Sequence, residues 1–400
     1  MTNTEKTTPY PDTGEIPVIG NVDEAIFRFM HAARTVGASL AVWRLPQSEN
    51  YNIVVNTGPV HKPREIPLEE LPTGFMFANY KGEQHYLHAD ITWSSDDPTI
   101  KIKSERAAED VSHFLSALKQ EASGLSFYIN KKNTLQQDNY TGLVQKGVKS
   151  IEEGLFQKVV PARSRFIPLD HSEKVIPAFF GLGNNYPNAF ISFVSTPETG
   201  SWLGATPEIL VATKDHRILT TVSLAGTQPY QGQELRNVAW TQKEIEEQAL
   251  VSRYIINCFK KIRLREFEEY GPKTVIAGNL LHLKTEFKVD LKATEFPQLG
   301  SVMLGLLHPT SAVCGMPLEP ARQFLRENEP FDRKFFSGYL GPVNFNQDTA
   351  IFVNLRCMEL VTDGIQVYAG AGVTIDSIPE KEVEEIELKF RSVLNIIESL

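Results

Sequence analysis

Tyr368-Ala369-Gly370-Ala371-Gly372-Val373 runs shortly before Glu380-Lys381-Glu382-Val383-Glu384-Glu385-Ile386-Glu387-Leu388-Lys389. The first run is built of small residues, which let backbone amides come close to a ligand. The second reads as a helix rich in carboxylates and ending on a lysine. Together they point to a site for an anionic substrate and a metal ion. Such a stretch supplies only half a site, so the rest of the chain must supply what faces it.

Residues 241–262 read as a long helix, with Thr241 at the N-cap and Glu244 three positions later in a capping-box pattern. Glu244 and Glu247 share one helical face, and the same spacing recurs at Glu382 and Glu385. Two such helices could meet around one Mg²⁺, a hard cation that favours carboxylates, water and an anionic substrate. A solvated helix face is the competing reading of each pair. Upstream, Lys158 stands in an apolar strand-like run, where its charge is costly unless paired. An edge-strand lysine that blunts aggregation is the alternative there. Glu208 opens the run Ile209-Leu210-Val211 and could serve as an acid if burial raises its pKa; it could equally cap a turn. Leu224-Ala225-Gly226-Thr227 brings backbone close to a neighbour. His308, held extended by Pro309, suits a fixed wall residue.

Around these stretches the chain reads as α/β. Helices are expected at 22–36, 106–121, 138–153, 172–180, 241–262, 297–307 and 318–327. Short strands at 39–44, 52–56 and 75–79 precede a single strand over 156–166 and an antiparallel meander at 189–195, 201–204, 208–213 and 217–224. A strand at 281–291 and a final sheet over 337–345, 350–360 and 365–368 follow, with Arg356 inside the second of these last three. His61, His85 and His88 read as surface residues. Residues 1–15 read as a disordered lead without the apolar core of a secretory signal, and 16–400 as one domain without repeats or linkers.

Composition excludes several classes. With 400 residues, 42% of them hydrophobic, the chain can bury a large core. A net charge of −9 without a basic stripe argues against nucleic acid as a partner. Its 3 cysteines are widely spaced, which fits a reducing cytoplasm and neither a disulfide framework nor a zinc site. No apolar run reaches membrane-spanning length, so the reading is of a soluble, cytoplasmic protein with no membrane partner. A monomer acting on a small molecule is expected.

Taken in order, the motifs resemble the chorismate-utilising enzymes, and among them the isochorismate synthases. The resemblance covers residues 136–400. It rests on Lys158-Val159-Val160 with Arg163-Ser164, Gly204-Ala205-Thr206-Pro207-Glu208, Leu224-Ala225-Gly226-Thr227, His308-Pro309-Thr310, Glu329-Pro330-Phe331-Asp332-Arg333, Gly338-Tyr339-Leu340-Gly341, Arg356, Tyr368 to Gly372, and Glu382 to Lys389. It implies one α/β domain of two antiparallel sheets flanked by helices, enclosing chorismate and Mg²⁺, with the N-terminal region completing the same fold.

By this resemblance Lys158 is the general base that activates water for attack at C2 of chorismate, and Glu208 the general acid for the departing C4 hydroxyl. Such a pair works when burial brings both groups toward the working pH. Glu247 and Glu385 resemble direct metal ligands, with Glu244 and Glu382 acting through water. Arg356, Lys389 and the backbone of Gly370, Ala371 and Gly372 would hold carboxylates. Leu224, Ala225, Gly226, Thr227 and His308 would line the ring pocket, with Glu329 orienting His308. Lys158 argues against the aminating relatives, which generally lack a lysine there. Ala225 argues against the covalent route of aminodeoxychorismate synthases, which typically carry a lysine. The product would feed menaquinone, siderophore or salicylate synthesis; a salicylate synthase and a non-catalytic chorismate-binding relative are the alternatives. Gln248 stands where the family often has histidine and Val383 where it often has tryptophan, so altered packing or hydrogen bonding is expected beside the metal ligands.

Overall fold

The computed structural model describes residues 21–63, 66–103, 108–121, 124–132, 139–277 and 280–400. The expected lead over 1–15, and the helix starts expected at 106 and 138, lie outside the described residues. In chain order the elements are α1 (Val22–Val36), β1 (Ser39–Arg44), β2 (Tyr51–Asn56), β3 (Gly74–Ala78), β4 (Gln84–His88), β5 (Ile91–Ser94), β6 (Lys101–Ile102), α2 (Ala108–Leu118) and α3 (Tyr140–Glu152). Then come β7 (Lys158–Val159), β8 (Ala162–Pro168), α4 (His171–Asn185), β9 (Phe190–Thr196), β10 (Gly200–Thr206), β11 (Ile209–Lys214), β12 (Ile218–Pro229) and α5 (Gln242–Lys261). The chain finishes with β13 (Glu268–Ala277), β14 (Leu280–Asp290), α6 (Leu299–Leu307), β15 (Gly315–Met316), α7 (Leu318–Asn328), β16 (Tyr339–Val343), β17 (Thr349–Val353), β18 (Cys357–Val361), β19 (Gly364–Gly370) and α8 (Pro379–Glu398).

Two large antiparallel sheets carry the fold. One runs β6-β5-β2-β1-β9-β10-β18-β19-β8 and the other β13-β14-β12-β11-β17-β16-β3-β4. The N-terminal strands enter both sheets, since β1 pairs with β9 and β3 with β16. Between the sheets lies an aromatic layer including Trp43, Phe75, Phe77, Phe190, Trp202 and Phe352. Helices α1 to α4 and α8 pack against the first sheet, and α5 and α6 against the second, each through its own apolar cluster. Four layers follow from this burial: each sheet has two apolar faces, one for its twin and one for helices.

Several expected strands divide, and each division has a physical cause. The meander expected over 189–224 is two hairpins in different sheets: β9 pairs with β10 in the first, β11 with β12 in the second. The chain crosses between sheets at Thr206-Pro207-Glu208, where proline offers no amide to a ladder. The strand expected over 350–360 likewise breaks into β17 and β18, on opposite sheets, so Arg356 lies at a crossover and not inside a strand. Its φ of 50° is a left-handed conformation that an extended strand does not contain. The strand expected over 156–166 breaks at Pro161; β7 pairs with β15, while β8 pairs with β19. Strand β13, interrupted by Gly271-Pro272 and a register shift, gave no clear alternation in sequence. Of the histidines read as surface, His85 is buried edge-on against Phe335. No helix among the described residues is long and apolar enough to cross a membrane.

Candidate functional site

The two crossovers are hydrogen-bonded to each other. Ala205 N donates to Arg356 O at 3.1 Å and Val353 N to Glu208 O at 2.9 Å, while Thr206 Oγ1 donates to Val353 O at 2.6 Å. Glu208 and Arg356 are thereby fixed side by side at the mouth between the sheets. They line a cavity of roughly 720 Å³, measured with its opening, together with Glu247, His282, Lys389 and Gly372.

Glu208 is 5% exposed. Burial raises its carboxyl to about 7, even though Lys158, Lys389 and Arg356 pull the other way. Lys158, on β7, is fully buried and donates to Glu247 Oε1 at 2.9 Å. A buried lysine without such a partner would be strongly destabilising, and its burial overturns the edge-strand reading. Burial alone would raise Glu247, but Lys158, Lys243 and Lys389 outweigh it and hold that carboxyl below its ordinary value. Gly372 explains why a small residue is required: a Cβ there would sit 2.4 Å from Glu247 Oε1 and 3.0 Å from Lys158 Cε.

Arg356 is lowered to about 10 by burial. Among the described residues no carboxylate pairs with it; its Nη2 donates to His282 Nε2 at 2.9 Å, and His282 Nδ1 meets Gly226 O at 2.7 Å. Burial and then Arg356 lower His282 to about 3, so the ring is neutral, with Nδ1 protonated and Nε2 accepting. His282 was missed in sequence, although a histidine inside Leu280-Leu281-His282-Leu283 is a polar interruption of an apolar strand. Arg333, also missed, is buried against Glu329 and donates to Val160 O and Val313 O, each at 2.7 Å.

Leu224, Ala225, Gly226 and Thr227 line the cavity from β12, at a register shift where Gly226 takes a φ of 71°. Gly370 and Gly372 line it too. Ala371 does not: its side chain is fully buried and its amide donates to Pro161 O at 3.3 Å. His308 also stays outside the cavity, with Nε2 at 3.1 Å from Tyr80 O and its ring against Tyr339. Its loop instead presents Ala312 and Val313. Glu329 does not orient His308; it pairs with Arg333 and accepts from Ala162 N at 2.8 Å.

Of the four acids on the two helices, Glu247 alone lines the cavity. Glu244 Oε2 closes the capping box on Thr241 N at 2.7 Å and also accepts from Gln228 at 3.0 Å. Glu382 is 1% exposed and pairs with Lys243 at 2.5 Å, and Glu385 pairs with Lys389 at 2.7 Å. Lys389 also donates to Gly370 O at 2.7 Å. As the side chains stand, no three acids, histidines or cysteines among the described residues converge as an ion would require. The donor set is nevertheless chemically suited to a hard cation, and Glu382 Oε2 is buried without a hydrogen-bond partner. Gln248 fits its altered position by donating to Ser223 Oγ at 2.6 Å and Thr285 Oγ1 at 3.1 Å, and Val383 packs on the first sheet's apolar cluster.

Two antiparallel sheets closing on a pocket with a raised glutamic acid among basic side chains define an enzyme that acts on a small molecule. The chain belongs to the chorismate binding enzyme family, whose pattern it matches over residues 71–398. It is 29% identical to the isochorismate synthase DhbC of Bacillus subtilis (strain 168) over 291 residues, 69% of this chain and 71% of that protein. It is 30% identical to the vibriobactin-specific isochorismate synthase of Vibrio cholerae over 206 residues, covering 50% of this chain and 51% of the relative. The fold is that of MenF, the menaquinone-specific isochorismate synthase from Escherichia coli, with a TM-score of 0.75 over 92% of this chain and 91% of that one at 20% identity.

Proposed function

We propose that this protein converts chorismate to isochorismate. The observation that carries the reading is Glu208: a carboxyl raised to about 7 at the cavity wall, within the field of Lys158, Lys389 and Arg356. A group of that kind holds a proton near neutrality and can give it to a leaving hydroxyl. In the proposed reaction Lys158, having first released its ammonium proton to solvent, takes a proton from water as that water's oxygen bonds to C2 of the ring. That proton later returns through solvent to Glu208. The ring double bonds shift, the C4–O bond breaks, and the leaving hydroxide takes the proton of Glu208 and departs as water. One water enters and one leaves, as an isomerisation requires.

Arg356 and Lys389 supply cations for the two carboxylates of chorismate, the guanidinium offering a planar fork and the ammonium a point charge. Ala225 puts no amine at its own position in the wall, which favours water over a covalent lysine route there. Glu247 and Glu385, with Glu382, would hold Mg²⁺, and a bound Mg²⁺ would neutralise substrate carboxylate charge beside these acids. Glu244 is the least suited of the four, because its oxygen is committed to the helix cap.

Incubating the purified protein with chorismate and Mg²⁺, and separating the products by chromatography, tests the proposal. Isochorismate alone is expected. Pyruvate release with salicylate fluorescence would make the protein a salicylate synthase, and binding without turnover would make it a chorismate-binding relative.

A further inference from the structure

The lysine on the turn before Glu247 has no part in the reaction just described, yet it is placed among the acids. Lys243 Nζ lies 2.5 Å from Glu382 Oε1 with its side chain 24% exposed. Burial alone would depress its pKa, but attraction from Glu382 and Glu385, and more weakly from Glu247, outweighs that and raises it. The ion pair joins α5 to α8 at Glu382, and Glu385, three residues further on, is held in turn by Lys389. Glu382 on α8 has its side chain 1% exposed. Its Oε2 is buried and accepts no hydrogen bond. One carboxylate oxygen is thus bound to the ammonium, and the other is buried with the Ser377 side chain near the carboxylate.

We infer that Lys243 is a built-in counter-ion: its ammonium holds the cation seat beside Glu382, Glu385 and Glu247, and a divalent ion must displace it to bind. This rests on the reading of those acids as metal-holding residues. A seat shared between a tethered ammonium and a free ion has two consequences. Like charges a few ångströms apart repel strongly in a partly buried site, so the lysine weakens metal binding. Until the ion arrives, the same lysine keeps Glu382 from being a buried, unpaired charge, so it stabilises the folded chain. Lys158 and Lys389 pair with Glu247 and Glu385 in the same manner, but both are also assigned to substrate and proton transfer. Lys243 is therefore the lysine whose removal tests the seat alone.

Titration calorimetry with Mg²⁺ alone, on the full chain, tests the inference, alongside thermal melts with and without Mg²⁺. Lys243→Met is expected to bind Mg²⁺ roughly tenfold more tightly than wild type, because the competing charge is gone. It is also expected to melt lower than wild type without Mg²⁺ and to recover most of the difference when Mg²⁺ is saturating. Lys381→Met removes an equal charge from the exposed side of α8 and controls for a general field effect; less than a twofold change is expected. Unchanged or weaker affinity in folded Lys243→Met overturns the counter-ion role, as does an equal gain in Lys381→Met. If Lys243→Met fails to fold, Lys243→Gln replaces it under the same criteria. Absence of Mg²⁺ binding in wild type overturns both this inference and the metal assignment beneath it, whereas normal wild-type binding with an unaltered variant overturns this inference alone.

Discussion

Glu208 and Glu247 are two glutamates on the wall of one cavity, both near Lys158, and although burial pushes both up they end on opposite sides of the ordinary carboxyl value. Glu208 is raised to about 7, because the cations around it act only through space and do not overcome desolvation. Glu247 is held low, because Lys158 adds a 2.9 Å hydrogen bond to its charge and Lys243 and Lys389 contribute further. Burial is common to both; the direct donor differs. The pair shows how one cavity can keep an acid and a carboxylate within reach of the same substrate.

The sharpest way to break this contrast is to remove the shared lysine. Lys158→Met deletes the proposed base and leaves Glu247 without its donor, so kcat should fall by roughly a thousandfold. Direct titration of Glu247, by carboxylate infrared bands, should show its pKa rising toward that of Glu208. A variant that keeps near-normal turnover would remove Lys158 from the chemistry.

Glu208→Gln should follow, with kcat down by roughly a hundredfold or more. Its folded value of about 7 lies above the ordinary 4.5, so the native protein keeps a proton that the unfolded chain has lost. The acid form is therefore complete well below pH 7 and is lost as the pH rises through about 7. Stability associated with that proton is fully present below about 4.5 and declines as the pH rises to about 7. The pH–rate profile of wild type should show a falling limb near 7 that Glu208→Gln lacks. An identical limb in the variant would assign the titration to another group.

Much of this contrast was legible in sequence because residue type and order encode it: a lysine and a glutamate in apolar runs, small residues at Gly370 to Gly372, and acids three apart on two helices. What was not legible is which neighbour each would meet. Glu244 and Glu247 have the same spacing as Glu382 and Glu385, yet one of the four closes a cap, and of the three held by lysines only Glu247 lines the cavity. The meander and the Arg356 strand were misread for a related reason. Local alternation continues through Thr206-Pro207-Glu208 and through Leu355-Arg356, and only the three-dimensional pairing reveals that the chain changes sheets there. His308 looked like a wall residue because Pro309 fixes its backbone, but backbone rigidity does not set which way a ring faces.

A smaller effect should come from Gly372→Ala. Its methyl would press on both Glu247 Oε1 and Lys158 Cε, so the pair must give way around it. A fall in kcat of about tenfold is expected, since misplacement near reacting groups is costly even when no group is lost. Gly305→Ala, where a Cβ meets nothing within 4 Å, is the matched control. Equal effects in the two would show that the close approach at Gly372 does not matter.

The smallest effect separates the two acids of α5. Glu244→Ala opens the capping box, leaving the Thr241 amide without its acceptor and Gln228 with Ala239 O alone. A loss of about 1 kcal/mol is expected, as for other helix caps, which in a chain of this size lowers Tm by about 2 °C. Because Glu247 and not Glu244 faces the cavity, Mg²⁺ affinity by calorimetry should change by less than about threefold, the scale of an exposed charge at a distance. A loss of Mg²⁺ binding with Tm unchanged would reverse the assignment, making Glu244 a metal-holding acid and the cap an incidental contact. A lowered Tm with affinity intact would confirm that an identical i,i+3 spacing on two helices serves three different physical ends.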